Sequence, residues 1–467
     1  MNQRSGKGAS GAKDSAAKSS AARDSATTVV ILAAGLGKRM KSPRPKVLNS
    51  LCGRPMIAWV IDQAMALDPA RILVVVGHGA EDVEKSLAGR SEHASVRERI
   101  AFVRQQPQLG TGHALQCCLS ELAPKGRVVV LYGDMPLLSK ESLVLLARAH
   151  DEDAAGGVAL LTGYPDEPRG FGRIVRAEEG GGVRAIVEER DASPEVRAIG
   201  EVNLGVYAFD AAALVEALPK LTNDNAQKEY YLTDVIGRFV EAGRPAVAVE
   251  LDDATEGIGV NTLADLAEAR WALQVRILEE HLMNGVAIED PATTYIDWGV
   301  EIGTGTKILP CTVIKSGVKI GGHCEVGPFT HLRAGTVLAD HAEVGNFTEC
   351  KNARVGSHAK AKHLSYLGDV TIGARTNIGA GTIFANYDGR AKHPSTVGDD
   401  AFVGSGTVIV APNTIGDGAT TGAGAVVTRD AGVGAQEVWV GVPAKKLARR
   451  SAPGGSAGAA RRGEKHS

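Results

Sequence analysis

Aliphatic residues that return at every sixth position constrain the C-terminal half of this chain more than any other feature. Ile302, Ile308, Ile314, Ile320, Val326, Leu332, Leu338 and Val344 keep that interval unbroken. The phase returns at Ile372 and Ile378, and again at Val397, Val403, Ile409 and Ile415. A helix repeats every ~3.6 residues and a lone strand every ~2, so neither yields this period. A three-sided parallel coil does, with one aliphatic per side pointing inward. Glycine often follows the aliphatic, as in Ile320-Gly321, Val326-Gly327, Ile372-Gly373 and Val403-Gly404. Those glycines are expected to serve the tight corners. Stacked coils then repeat at about 4.8 Å. An aromatic content of 4% with 57 glycines suits such a structure of small aliphatics and turns. Between Phe384 and Val397 the pattern fails. The run from Asn386 to Gly389, with Lys392 and His393, is expected to loop out of the prism, and loops on rigid scaffolds are where function concentrates.

The N-terminal half reads differently. Val29–Leu32, Ile72–Val76, Val128–Tyr132 and Val158–Thr162 are expected strands, and Met56–Ala66 and Gly112–Leu122 expected amphipathic helices. Alternation of this kind argues for a mostly parallel sheet covered by helices. Leu263–Met283 reads as a connecting helix. The organisation expected is a disordered tail over 1–27, an α/β domain over 28–255, a linker helix over 256–285, a β-helix over 286–449 and a second tail over 450–467.

A formal net charge of −2 gives no argument for nucleic acid or for a membrane surface. No apolar run is long enough to span a bilayer. The six cysteines lack metal-ligand spacing, which favours a cytoplasmic protein with unpaired thiols. Adjacent Cys117 and Cys118 read as packing residues rather than a redox pair.

Chemistry concentrates after the first strand. Gly35 and Gly37 follow Val29–Leu32 at once, and glycine lets main-chain N–H groups lie against a ligand. Arg39 and Lys46 add two cations, completing a cradle for a polyphosphate. Neither a Walker loop nor the dinucleotide fingerprint is present. Asp134 ends the strand Val128–Tyr132, where it would offer Mg²⁺ an oxygen ligand or cap the next helix. Asn261 is a second oxygen ligand, or, taken alone, the N-cap of the helix at Leu263. Gln105, Gln108, Gly110 and Thr111 place amides before a glycine loop. That arrangement suits the edge of a base, or a polar surface turn.

The order LAAGxGxRM, PKVL, QLGTGHA, YGD, GxGR, IVE, N-x-G, NAQxEYYLTD (Asn225–Asp234) and GVN resembles one family nearly end to end. It is the family of bifunctional N-acetylglucosamine-1-phosphate uridylyltransferase/glucosamine-1-phosphate acetyltransferases. The resemblance implies a Rossmann-like nucleotidyltransferase domain followed by a left-handed parallel β-helix, an exception to the usual right-handed crossover. It implies that Leu32, Ala33, Ala34, Gly35, Lys46, Gln105, Gly110 and Thr111 hold UTP beside Tyr132, Gly133 and Asp134. Gly172, Glu188 and Asn203 would hold the sugar, Asp134 and Asn261 Mg²⁺, and Arg39 and Lys46 would be the catalytic cations. Lys38 stands where the family usually has Thr or Ser.

The β-helix of such a protein need not be catalytic, because related sugar nucleotidylyltransferases use one only to trimerise. Acetylating a sugar amine needs a base working near neutral pH, and cations for the sugar phosphate. By the same resemblance His363 is the base, and Arg333, Lys351, Tyr366 and Asn377 are the sugar-phosphate contacts. Ala380, Asn386, Tyr387, Ser405 and Ala423 would contact acetyl-CoA. Glu349 would polarise the site and Lys392 would reach in from the protruding loop. A homotrimer is implied, with the acetyl site between neighbouring prisms. Gly441 falls where related enzymes often place an arginine on the CoA phosphate, leaving Lys445 or Lys446 to substitute. The stretch before Arg333 is about one coil shorter than usual.

Overall fold

The computed structural model describes residues 26–35, 37–89, 96–177 and 181–448. The expected tails, up to residue 25 and from residue 449, lie outside them, as does the side chain of Lys38. Two compact units divide between Leu273 and Gln274.

In the first unit, β1 (Thr27–Leu32), β2 (Arg71–Val76), β3 (Ile100–Arg104), β4 (Arg127–Tyr132), β5 (Val158–Gly163), β6 (Val202–Asp210) and β7 (Ala246–Glu250) form the main sheet, in the order β7-β5-β6-β4-β1-β2-β3. The β1–β2, β1–β4, β2–β3 and β5–β7 pairs are parallel, and only β6 runs against its neighbours. Both faces are buried. Val29 and Ile31 enter one core, Val30 and Leu32 the other. Strands sealed on both sides must be apolar without alternation, which is how β1, β2 and β4 read.

Two helices end earlier than their periodicity implies. The first spans Met56–Ala64 and tightens into a 3₁₀ turn over Met65–Leu67, closed by Asp68 at φ 41°. The second spans only Thr111–Gln116. Beyond it Cys118, Leu119 and Glu121 donate to carbonyls three residues back, so the apolar spacing continues while the coil narrows. The helix Leu263–Met283 forms as expected. Its cap does not: Thr262 Oγ1 accepts from Asp265 N at 3.1 Å and Asp265 Oδ2 from Thr262 N at 2.9 Å. Thr262 closes this helix end, which leaves the Asn261 side chain for other work.

The second unit is a left-handed parallel β-helix of three sheets, in which each strand pairs with the third one along until the last coil, where Val438–Val440 pairs with Thr420–Thr421 and, antiparallel, with Lys445–Lys446. Ile302, Ile320, Leu338, Val355, Ile372, Val397 and Ile415 stack in one sheet. The apparent break after Val344 is no break. Cys350, Val355, Ala361 and Leu367 carry the inward row to Ile372, and all four are essentially sealed from solvent. Two sides, Cys350 to Val355 and Leu367 to Ile372, are one residue short, which throws the count out of phase while the wall continues. No described helix is long and apolar enough to cross a membrane.

The corners also correct the sequence reading. The left-handed residue stands three places after the aliphatic and is often not glycine, as at His323 (φ 55°), His341 (φ 62°) and Asp400 (φ 54°). The glycine directly after the aliphatic answers to close approach instead. A Cβ on Gly379 would lie 2.5 Å from Ser405 N and 2.6 Å from Val403 O, both in the next coil. Gly379→Ala should therefore cost about 1–3 kcal/mol in a urea melt of the whole chain, the penalty of forcing atoms into a packed wall.

Candidate active sites

The C-terminal ends of β1 and β4 lie side by side, with Leu32 paired to Tyr132 and Gly133 N donating to Leu32 O at 2.9 Å. Strand order reverses direction here, the usual place for a ligand crevice in an open α/β sheet. A cleft of about 430 Å³ opens at this point. Leu32, Ala33, Ala34, Gly35, Lys46, Gln105, Gly110, Thr111, Tyr132, Asp134 and Asn261 line it, joined by Val47, Gln108, Ala114 and Glu229.

The residues are held by their neighbours. Gln105 is buried and donates to Gly110 O at 2.9 Å. Gly110 sits at φ 107°, and a Cβ there would lie 2.6 Å from Tyr230 O. Gly112 N donates to Tyr230 O and Tyr230 N to Leu109 O, so the Asn225–Asp234 segment clamps the glycine loop from outside. Thr111 Oγ1 accepts from Leu232 N at 3.1 Å. Gln108 Nε2 donates to Ala34 O. Its amide therefore ties down the glycine turn after β1, a contact that the base-edge reading of this stretch did not anticipate.

Lys46 lies at the centre. Its side chain is 12% exposed, and its ammonium contacts Asp134 Oδ2 and donates to Asn261 Oδ1 at 3.0 Å. Two hard oxygen ligands from distant parts of the chain thus converge on one cationic point. Such a pair fits Mg²⁺, which usually takes one or two protein oxygens and completes its shell with water and substrate phosphates. No group of three or more metal-ligating side chains occurs among the described residues. Arg39 does not line the cleft. It is exposed in the short turn Lys38–Met40, and its charge reaches Asp265. Despite its burial, Asp265 is held below the usual carboxylate range by hydrogen bonds from Thr262 and the Asn261 and Thr262 N–H groups, with Arg39 adding.

Beside this cleft, burial pushes the Tyr132 phenol far up and Glu188 adds to the rise, against a hydrogen bond from Thr111. Tyr132 therefore stays a neutral hydroxyl. Glu188 is itself raised by burial, opposed by the Thr233 hydroxyl at 3.0 Å. Gly172 lies beside Glu188 and packs on Ile186, since a Cβ there would stand in ordinary contact 3.7 Å from Glu188 Oε1 but only 2.9 Å from Ile186 Cγ2. Asn203 donates to Tyr207 Oη at 2.7 Å and accepts from Gly205 N at 3.1 Å. Its amide is thus oriented by the bulge in β6 rather than by a ligand.

Glu188 carries a stability signature. Folding tightens its hold on a proton, so stability falls as pH rises from the unfolded carboxyl's range through the raised folded one. Glu188→Gln should abolish that fall. Thermal melts taken from about pH 4 to about pH 7 should show the variant gaining on the parent as pH rises.

The second constellation lies on the prism. Arg333, Glu349, Lys351, Tyr366 and Gly368 occupy neighbouring positions of one sheet: Arg333 and Glu349 join at 2.7 Å, Glu349 pairs with Tyr366 and Lys351 with Gly368. The ammonium of Lys392 lies against Lys351 and, with Arg333, pushes the Lys351 amine below its usual value. Three cations thus gather with two carboxylates, Glu349 on Arg333 and Asp369 acting on Lys351, which leaves an excess positive charge that favours an anion. His363 is exposed at the adjacent corner. Its carbonyl, not its ring, takes the local hydrogen bonds, from Ser365 Oγ and Gly381 N. Gly406 N donates to Ala380 O and Gly424 N to Ser405 O, so Ala380, Ser405 and Ala423 follow His363 up one column. Each is flanked by glycine, as in Gly379-Ala380-Gly381, so the column that continues from His363 is a trough of small side chains. Asn377 pairs with Lys360 on the same sheet as His363, Asn386 is buried against Asp369, and Tyr387 is exposed.

Residues 29–230 match the MobA-like NTP transferase domain family. The bifunctional protein GlmU of Lactobacillus delbrueckii subsp. bulgaricus is 41% identical over 438 residues, covering 86% of this chain and 93% of its own. That of Bordetella petrii is 43% identical over 443 residues, covering 87% and 94%. The chain belongs to the GlmU family of bifunctional proteins. A solved apo UDP-glucose pyrophosphorylase overlies 54% of this chain and 99% of its own at 17% identity and a TM-score of 0.43, too slight a likeness to carry an argument.

Gly441, the position at which the resemblance led to the expectation of an arginine, stands at φ 95°. Lys446 is engaged by Glu437, whose carboxyl it holds down at about 2, helped by Trp439. Of the two lysines, Lys446 is thus the one already engaged by a carboxylate. The cysteines are packing residues: burial pushes the Cys118 and Cys350 thiols up to about 12.

Proposed function

We propose that the chain acetylates glucosamine-1-phosphate with acetyl-CoA at the prism corner and converts the product to UDP-N-acetylglucosamine with UTP in the front cleft. The first step forms an amide: the sugar amine attacks the thioester carbonyl, His363 takes the ammonium proton, and CoA leaves as the thiolate. Arg333, Lys351 and Lys392 grip the phosphate, with Tyr366 and Asn377 orienting the sugar. Ala380, Ser405 and Ala423 keep the trough low for the CoA arm, beside Asn386 and Tyr387. In the second step the sugar phosphate oxygen attacks the α-phosphorus of UTP and pyrophosphate leaves. Lys46 takes up the charge that develops, and Arg39, at the rim, steadies the pyrophosphate. Gln105, Gly110 and Thr111 hold the uracil, and Tyr132, Glu188, Gly172 and Asn203 the sugar. Mg²⁺, held by Asp134, Asn261 and phosphate oxygens, would supply charge neutralisation at the α- and β-phosphates.

A single observation carries the two-step reading over a prism used only for assembly: an exposed His363 heads a trough of small residues beside three crowded cations. Homotrimer formation belongs to this proposal. It is supported by exposed apolar rings stacked along one corner, Phe329 on Phe347 at 5.0 Å, with Leu364 next in the column. The test is a coupled assay with purified protein, UTP and glucosamine-1-phosphate or galactosamine-1-phosphate. UDP-sugar and pyrophosphate should form from the gluco substrate only when acetyl-CoA is present. Pyrophosphate without acetyl-CoA would reverse the order, and no acetylated sugar at all would remove the first step.

A further inference from the structure

The loop that leaves the prism after Phe384 is tied into a knot around one carboxylate. Tyr387 and Lys392 form an antiparallel bridge, closed by Asp388 N donating to Ala391 O at 3.2 Å and His393 N to Asn386 O at 2.8 Å. Inside it, Asp388 Oδ1 accepts from Arg390 N at 2.9 Å and Ala391 N at 2.8 Å. Asp388 Oδ2 stands 2.7 Å from His393 Nε2, a separation that requires a hydrogen between them, so Nε2 carries one. Arg429, from a later coil, reaches the same carboxylate, with Nη1 3.6 Å from Asp388 Oδ2. The Ala391 N–H, His393 and the Arg390 N–H hold the Asp388 carboxyl far below its usual range, so it is ionised at any working pH.

The knot has a specific cargo. Lys392 is the bridge residue opposite Tyr387, and its ammonium lies against that of Lys351. Two ammonium groups repel, and an exposed loop left to itself would swing Lys392 into water. Something must hold it there before an anion arrives, and the Asp388 knot, anchored to the prism through Arg429, is the restraint at hand. We propose that Asp388, with His393 and Arg429, is a positioning residue of the second site, holding the Asn386–His393 hairpin so that Lys392 stays beside Lys351. The proposal rests on the acetyl-transfer reading of that site. Asp388 touches no substrate and acts through Lys392.

The test is a double-mutant cycle of Asp388→Asn and Lys392→Met in the full chain, read as kcat and KM for glucosamine-1-phosphate. Asparagine keeps the size and an oxygen for the two backbone N–H groups while removing the charge that binds His393 and Arg429. Asp388→Asn should lower kcat/KM for acetyl transfer about tenfold, mostly through KM, because a misplaced group loses grip on the bound phosphate. Uridylyl transfer to N-acetylglucosamine-1-phosphate should not change. In the Lys392→Met background the same substitution should cost less than about twofold, since its cargo is gone. Equal losses in both backgrounds would make Asp388 a merely structural residue and overturn the proposal. A harmless Asp388→Asn beside a costly Lys392→Met would overturn the positioning role alone. A harmless Lys392→Met would remove the anion cluster and this proposal together.

Discussion

Lys46→Ala should lower uridylyl transfer by about 10²–10³-fold and leave acetyl transfer at the parent rate. The size follows from where the ammonium stands. It is enclosed between Asp134 and Asn261 with 12% of its side chain exposed, so water screens it little. A fixed donor aimed at developing charge in such a place is worth about 10²–10³ in rate, because it needs no rearrangement when the charge appears. Alanine also strips Asp134 of its counter-charge and leaves a half-enclosed carboxylate unpaired, which is costly in itself. Lys46→Arg should rescue poorly. A planar guanidinium cannot occupy a point between two oxygens as an ammonium does, and Gly37 packs directly on the lysine stem, its Cβ position 2.8 Å from Lys46 Cβ. Pyrophosphate release from UTP and N-acetylglucosamine-1-phosphate measures the loss, and CoA thiol release from glucosamine-1-phosphate measures the control. Undiminished pyrophosphate release would remove Lys46 from the chemistry, and equal losses in both assays would point to damage of the whole chain.

How far the sequence went can be judged residue by residue. The period of six exposed the prism because burial repeats with the coil, and every aliphatic named from it faces inward or nearly so. Sides of five residues were invisible to a fixed period, which is why Cys350 to Leu367 read as a break although its wall is continuous. A second register was present and passed over: a small or hydroxyl residue two places before most of the aliphatics. Thr306, Thr330 and Thr376 occupy it and bond corner carbonyls at 2.7, 2.7 and 2.6 Å, so the hydroxyl satisfies backbone that the turn leaves exposed. In the front cleft, residues adjacent in sequence were legible because strand, glycine turn and cation follow one another. Asn261 was legible as an oxygen ligand mainly through the family resemblance, since its position beside Lys46 depends on a contact 215 residues away and its own neighbourhood favours a helix cap. Arg39 shows the reverse: proximity in sequence suggested the cleft, and the fold turns it to the rim. Asp388 carried a turn signal, Asp before Gly, but its partner Arg429 lies too far along the chain for any local pattern to reveal.

His363→Ala should lower acetyl transfer by about 10²–10⁴-fold, the usual worth of a positioned general base. Stability should barely move. The ring is exposed, and the hydrogen bonds at this corner fall on the His363 carbonyl, which alanine keeps. A surface truncation of that kind stays within about 0.5 kcal/mol. Function and fold thereby separate, as they would not for a buried histidine. The two units have their own cores, so the front cleft should not register the change. The variant given glucosamine-1-phosphate, acetyl-CoA and UTP should make no UDP-N-acetylglucosamine, and adding preformed N-acetylglucosamine-1-phosphate should restore the parent rate. Adding free imidazole in place of the acetylated sugar should recover part of the acetyl transfer, because the trough beside Ala380 leaves the vacated position open. Acetylation that survives the substitution would mean that another group takes the amine proton, and Glu349, already held by Arg333 at 2.7 Å, would then have to leave that partner to do it.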